Sequence, residues 1–175
     1  GLESTITTEV VHEDIHVTLH PVQKKAYQQM EQDALMWLDE NPLEAQLPIT
    51  QRIRLRQATL GELDIETGPD GEDTVTFKRK GKSAKYDALK SLLGDLIGEK
   101  VLVLTDSAKF AMEVADRLAE EKVGWALPWT GASSKQERDY MLREFSDGEL
   151  RYLVATQASI GEGVDGLQNR CHIMV

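Results

Sequence analysis

Apolar residues recur along the chain in two different periods, and the change falls near residue 83. Ahead of it, DIHVTL (14–19) alternates polar and apolar positions and predicts a strand. Pro21 suits the first turn of a helix, where its missing N–H costs nothing. From there Val22, Ala26, Tyr27, Met30, Ala34, Leu35, Trp37 and Leu38 keep helical spacing, predicting a helix over 21–40 that Asn41-Pro42 stops. Residues 42–49 read as a linker and 50–60 as a second helix. LDIET and TVTFK around GPDGED read as a hairpin or extended insert over 61–80, exposed and mobile by its Gly, Pro and charge content. After residue 83, amphipathic stretches alternate with short runs that are apolar throughout. Helices are predicted at 84–97, 108–121 and 134–145, with Ser83 and Ser107 as caps. Strands are predicted at 100–105, 125–128, 151–156 and 171–175. Unbroken apolar runs such as KVLVLTD and RYLVATQ mark strands covered on both faces. The fold class is therefore α/β, a mostly parallel sheet flanked by helices. Its division is an N-terminal strand and helices (1–60) packed on the lobe, an exposed insert (61–82) and the lobe itself (83–175). The 21–40 helix is expected to share the lobe's core. Ligands of such sheets bind beyond the carboxyl ends of the strands, here 105–107, 129–131 and the long loop 156–170.

Composition narrows the class. With 30 acidic and 20 basic residues the 175-residue chain carries a formal net charge of −10, which argues against bulk electrostatic attachment to nucleic acid or membrane. The charge is uneven. Residues 1–49 hold two basic and nine acidic side chains, while Arg52, Arg54, Arg56 and then Lys78, Arg79, Lys80, Lys82 and Lys85 cluster in the middle. Local clustering is what a phosphate contact needs. The arginines at i, i+2, i+4 spread around a helix, so Lys78–Lys85 is the better single patch. No apolar run reaches the roughly 18 residues of a membrane span, and GLESTITTEVVHEDIH has no leader pattern. The single Cys171 excludes an internal disulfide framework, so a reducing intracellular setting is expected. The chain starts on Gly1 and ends on HIMV, and reads as a segment of something longer at both ends.

Candidate chemistry concentrates in one loop. Neither GxxxxGK[ST] nor GxGxxG is present, but ATQASIGEGVDGLQNR places Gly161, Gly163 and Gly166 around Glu162 and Asp165 on the binding edge. Such a loop is either a surface turn whose glycines supply left-handed backbone, or a cradle whose N–H groups and Asp165 touch a nucleotide or phosphate. His12, His16 and His20 are not spaced for a metal if the segment is a strand. Cys171 falls in an apolar strand and reads as core. Trp37 and Trp125 read as packing residues, and Trp129, beside Thr130-Gly131, is the tryptophan allowed as a contact.

A family pattern runs through these segments in order. LHPVQKKAY, IRLRQATLG, SAKYDALKSLL, KVLVLTDSAKFAMEVADRL, WTGASSKQERDYMLREF (with Gly131, Ser133, Arg138 and Phe145) and YLVATQASIGEGVDGLQNRCHIMV resemble the second RecA-like domain of superfamily-two helicases, closest to the Swi/Snf-type translocases. Asp165 stands where Swi/Snf-type sequences carry Asn, which resembles other superfamily-two branches. The resemblance implies one lobe of a motor. The other lobe would carry the phosphate loop and the magnesium carboxylates, and motif VI would follow Val175. ATP and magnesium belong to the full-length parent, and the fragment alone is expected to bind no cofactor, to be inactive and to be monomeric. By similarity Gly161, Gly163 and Asp165 face the nucleotide, while Thr130, Gly131 and Thr156 lie nearer nucleic-acid phosphates, with duplex DNA as the polymer. Arg138 either reaches a phosphate or holds its own helix. Short inserts, compared with eukaryotic remodellers, point to a bacterial or phage source and a cytoplasmic setting. The competing reading is a non-catalytic nucleotide-sensing or protein-docking module.

Overall fold

The computed structural model describes residues 10–40, 48–160, 167 and 171–175, and the change of period near residue 83 is also a change of architecture. The first part holds α1 (Pro21–Glu40), α2 (Ile49–Leu60) and an antiparallel hairpin of β1 (Leu63–Thr67) and β2 (Asp73–Phe77). The second part runs α3 (Ala84–Asp95), β3 (Val101–Thr105), α4 (Ala108–Glu120), β4 (Ala126–Trp129), α5 (Lys135–Ser146), β5 (Tyr152–Thr156), the single turn α6 (Gln157–Ile160) and β6 (Ile173–Met174). Its four strands form one sheet in the order β4-β5-β3-β6, every pair parallel. Each element lies within two residues of its predicted bounds except α6, which falls in the stretch read as a loop.

The unbroken apolar runs have the expected cause. Val101, Val103, Tyr152 and Val154 point to one face, where Phe110, Val114 and Leu118 of α4 and Tyr86, Leu89 and Leu93 of α3 cover them. Leu102, Leu153, Ala155 and Trp129 point to the other, against Met141 and Phe145 of α5. Alternate residues of one strand thus enter two cores, and polar side chains enter β3 and β5 only at their last positions, Thr105 and Thr156. Pro128 sits in β4, which pairs only with β5 and is an edge strand, so its missing N–H breaks no ladder. Gly124, just before β4, lies so close to the Tyr152 ring that a Cβ there would meet ring carbon Cε2 at 2.6 Å.

Polar caps set where the helices begin. The Ser83, Ser107 and Ser134 hydroxyls accept from the amides of Tyr86, Phe110 and Glu137, and Ser134 with Glu137 completes a capping box. At the other end of α5, the Lys100 ammonium donates to the carbonyls of Phe145 (2.6 Å) and Gly148 (2.8 Å), covering acceptors the helix leaves unpaired.

The first part departs from expectation in two places. Residues 14–19 form no strand: alternation alone supplies a face, and neither sheet offers these residues an edge. Helix α1 does not share the apolar core of the lobe. It packs on α2, and its connection to the lobe is polar. Buried Gln23 donates to the Ala58 carbonyl (3.2 Å) and accepts from the Ala84 amide (2.9 Å), which joins α1, α2 and α3 through one side chain. His20 adds an exposed contact to Asp87 at 2.7 Å, and the Ser83 hydroxyl donates to the Leu60 carbonyl at 2.5 Å.

The hairpin turns through Gly71 at φ +80° and is mostly exposed. It is nevertheless tied to its neighbours at three points. Phe77 packs on Phe110 of α4 with ring centroids 5.2 Å apart, Arg54 meets Asp73 at 3.0 Å, and Lys109 donates to the Val75 carbonyl at 2.6 Å. The basic patch after it is largely spent on these ties. Lys78 pairs with Glu62 (2.9 Å), and both Arg79 and Lys80 pair with Glu120. The Lys78 ammonium bonded to Glu62 holds that carboxyl below its ordinary range, and the bonds from Lys80 and Arg79 do the same to Glu120.

Candidate nucleic-acid edge of the sheet

Parallel register fixes where the strands end. Thr105 lies opposite Thr156, and Trp129 lies opposite Ala155, so the carboxyl ends of β3, β4 and β5 come level. Three threonines, Thr105, Thr130 and Thr156, therefore stand in a row where the chain leaves the sheet. Each uses its hydroxyl to shape the turn that follows. The Thr105 oxygen accepts from the Ser107 amide (3.3 Å) and the Thr130 oxygen from the Ala132 amide (3.3 Å). The Thr156 hydroxyl donates to the Ser159 hydroxyl at 2.6 Å.

The β4 end is closed tightly. The Thr130 amide donates to the Ser133 hydroxyl and the Ser133 amide returns to the Thr130 carbonyl, both at 3.1 Å. Arg138, one turn into α5, reaches back and donates to the same carbonyl at 3.2 Å, with its guanidinium 5.5 Å from the centre of the Trp129 ring. Of the two roles left open for this arginine, this bond matches the one that holds its own helix, here against the turn before it. Trp129 corrects the sequence reading. It is buried, its indole N–H donates to the Ser159 carbonyl (3.2 Å), and it offers no contact surface. The Ser159 hydroxyl is in turn shared between the Trp129 carbonyl (3.1 Å) and the Thr156 carbonyl (2.9 Å). Trp129, Thr156 and Ser159 so clamp the β4 end to the turn α6 that leads into the glycine-rich loop.

The proposed contact residues fare unequally. Thr130 and Thr156 lie on the edge as expected, but both are buried and their hydroxyls are engaged internally. Gly131 is exposed, and a Cβ built on it meets nothing within 4 Å, so packing does not demand glycine there. Gly161, Gly163 and Asp165 lie outside the described residues. Cys171 is half-buried just ahead of β6 rather than within it, its thiol donating to the Ile173 carbonyl at 3.1 Å. Ser159 and Lys100 shape this end of the lobe without having stood out in the sequence. Ser159 has a local signal, a serine three residues after Thr156, but its second partner, Trp129, is brought in only by the sheet.

Electrostatics around the edge is mild. The capping-box bonds from Ser134 hold the Glu137 carboxyl below its ordinary range. On the far side of the lobe burial pushes the Tyr86 phenol up, and Lys90 pulls the Glu121 carboxyl down. Among the described residues no group of three or more His, Cys, Asp or Glu side chains is arranged to hold a metal ion, and no helix is long and apolar enough to cross a membrane.

Residues 84–174 match the helicase conserved C-terminal domain, and the chain belongs to that family. It is 34% identical over 86 residues to DEAD-box ATP-dependent RNA helicase 20 of Oryza sativa subsp. japonica, covering 48% of this chain and 17% of that protein. Among solved structures, the chain resembles the Sulfolobus solfataricus SWI2/SNF2 ATPase core in complex with dsDNA (TM-score 0.61, 16% identity, 80% of this chain and 29% of that one). It also resembles the C-terminal part of the Fun30 ATPase domain (TM-score 0.66, 17% identity, 86% of this chain and 69% of that one). The fold is RecA-like, as in these structural neighbours. The chain spans about a sixth of the length of the rice relative.

Proposed function

We propose that this chain is the C-terminal lobe of an ATP-dependent translocase of the Swi/Snf type, and that the level strand ends of β3, β4 and β5 are its share of a nucleic-acid track. The alignment of those ends carries the reading, because it puts three turns on one edge. A motor that follows a backbone needs N–H groups and small side chains against phosphates and no base-reading side chains. Exposed Gly131 permits close approach of a strand. Thr130 and Thr156 act through the turns their hydroxyls hold, and Arg138 acts first by holding the Thr130 carbonyl.

ATP with magnesium, bound between this lobe and a first lobe of the parent protein, supplies the free energy for movement. Gly161, Gly163 and Asp165 are this chain's contribution to that cleft, with Asp165 as a hydrogen-bond acceptor. The isolated chain has one lip of the cleft and turns over no ATP.

Duplex DNA is the proposed polymer. The likeness to an ATPase core complexed with dsDNA extends over 80% of the chain, beyond residues 84–174 and into the first part. RNA is the second reading, favoured by the identity with a DEAD-box RNA helicase. The test is ATP turnover of the parent protein with duplex DNA or with RNA added. Stimulation by DNA alone is expected, and stimulation by RNA alone replaces the DNA reading. No stimulation by either leaves the docking-module reading in its place. In the same protein Asp165→Ala is expected to lower turnover and spare DNA binding, and Gly131→Glu to weaken binding while sparing the fold.

A further inference from the structure

The outer face of α2 carries the wrong side chains for a face that meets only water. Ile49, Arg52, Ile53 and Arg56 stand at i, i+3, i+4 and i+7, so they share one stripe of the helix. Ile49 is 71% exposed and Ile53 is 46% exposed, each set beside an exposed arginine. Arg54 points elsewhere, to Asp73 of the hairpin. Past Ile53 the stripe runs into a groove of about 380 Å³ between α2 and the start of α4. Ile53, Leu60 and Ala108 give that groove apolar walls, and Arg56, Lys85 and Lys109 line it with a single carboxylate, Asp106.

The surface is therefore cationic and apolar at once, on a chain of net charge −10. Its cations are largely available. Arg52 and Lys85 make no side-chain hydrogen bond or ion pair among the described residues. Arg56 meets Asp106 at 2.5 Å, but both side chains are more than half exposed, and such a pair changes partners at little cost. Lys109 is engaged with the Val75 carbonyl at 2.6 Å. We propose that this stripe docks an acidic amphipathic helix of a protein partner. The partner's apolar residues at i and i+4 lie on Ile49 and Ile53, and its carboxylates meet Arg52, Arg56 and Lys85. Charge complementarity selects an acidic occupant. The one-turn spacing of the two isoleucines selects a helical one, since that is the spacing at which a second helix presents its own apolar row. A nucleic-acid backbone would satisfy the arginines but would set both isoleucines against phosphate, so a protein fits this stripe better.

The test is titration of the chain, followed by two-dimensional amide spectra, with a synthetic helix-forming peptide of Ala, Leu and Glu whose Leu residues recur at i and i+4 between flanking Glu. A scrambled peptide of the same composition and a duplex DNA are titrated alongside. The patterned peptide is expected to saturate, to shift the amides of Arg52, Ile53, Arg56 and Lys85, and to bind about tenfold tighter than the scrambled one. Arg52→Glu and Ile53→Asp should each weaken it by about tenfold or more. Both side chains are exposed, so the amide spectrum of the lobe should stay unchanged and show that the fold is kept. No saturable shift, equal binding of the scrambled peptide, or an affinity unchanged in both variants overturns the proposal. Duplex DNA that shifts the same amides and displaces the peptide assigns the stripe to nucleic acid and also overturns it. Self-association of the free chain that Arg52→Glu abolishes assigns the stripe to a second copy, with the same result. The measurement needs no ATP turnover, so its outcome is independent of the motor reading.

Discussion

The two parts of this chain are held by different forces. In the lobe, β3 and β5 are covered on both faces, and fully buried side chains such as Val101, Leu118, Phe145, Leu153 and Val154 carry the packing. In the first part the buried residues of α1 are Gln23 and Ala34, that of α2 is Ala58, and the hairpin has none. What joins the first part to the lobe is one buried amide side chain, Leu60 and Phe77 packed on the edge of the lobe's core, and a set of hydrogen bonds and ion pairs. Apolar burial is non-directional and tolerates changes of solution, whereas hydrogen bonds and exposed ion pairs depend on particular partners, on pH and on salt. The lobe should therefore unfold as a unit, and the first part should loosen from it earlier.

The largest expected effect lies in the lobe. Phe145→Ala opens a cavity under β5 and should cost about 3–5 kcal/mol, read as a shift of the whole denaturation midpoint. Gly124→Ala should come next, at about 1–3 kcal/mol, because the Tyr152 ring is part of the core and cannot move aside freely. A small effect there would show that the loop before β4 yields more easily than the close contact implies.

Gln23→Ala bears on the junction. It leaves the Ala58 carbonyl and the Ala84 amide without their partner and should cost about 1–3 kcal/mol. The signature that separates it from a core defect is local: hydrogen exchange at Ala84 and along α1 should quicken while β3 and β5 stay protected. Equal quickening everywhere would mean that the two parts form one cooperative unit.

Acid should act on the surface ties of the hairpin and of α3 with α4. Glu62, Glu120 and Glu121 have carboxyls held below their ordinary value of 4.5, chiefly by hydrogen bonds from Lys78, Lys80 and Lys90. Groups with depressed folded values stabilise the fold above the unfolded value, and that contribution is lost as pH falls through the folded one. Amide exchange in the hairpin and at the α3–α4 contact should therefore rise below about pH 4.5, ahead of the sheet. The smallest effect is Gly131→Ala, which should change stability by less than about 0.5 kcal/mol in the isolated chain. A larger loss would show that the turn needs glycine for its own conformation.

The lobe was legible because its signals are local and repeated. Unbroken apolar runs of four to six residues, serine caps and amphipathic stretches each name one element, and alternation of helix with strand leaves parallel pairing as the simple solution. The family pattern over 83–175 rested on the same residues, and residues 84–174 match the helicase C-terminal domain. Residues 14–19 show the limit of such signals, since a strand requires an edge that a short sequence window does not contain.

What the sequence determined by itself was therefore the set of elements in the lobe, their order and the edge on which chemistry belongs. Tertiary structure decided the rest, because it turns on partners far apart in the chain. It gave Arg79 and Lys80 to Glu120 and so removed a basic patch that looked free. It buried Trp129 against Ser159, thirty residues on, and turned a candidate contact into a clamp. It placed Gln23 between Ala58 and Ala84, so that a helix expected in the core is fastened by two hydrogen bonds. And it left Lys85 exposed and without an ion pair among the described residues, while its neighbours Lys78, Arg79 and Lys80 are paired. Burial and ion pairing are properties of distance, and distance between residues remote in sequence is what folding alone supplies.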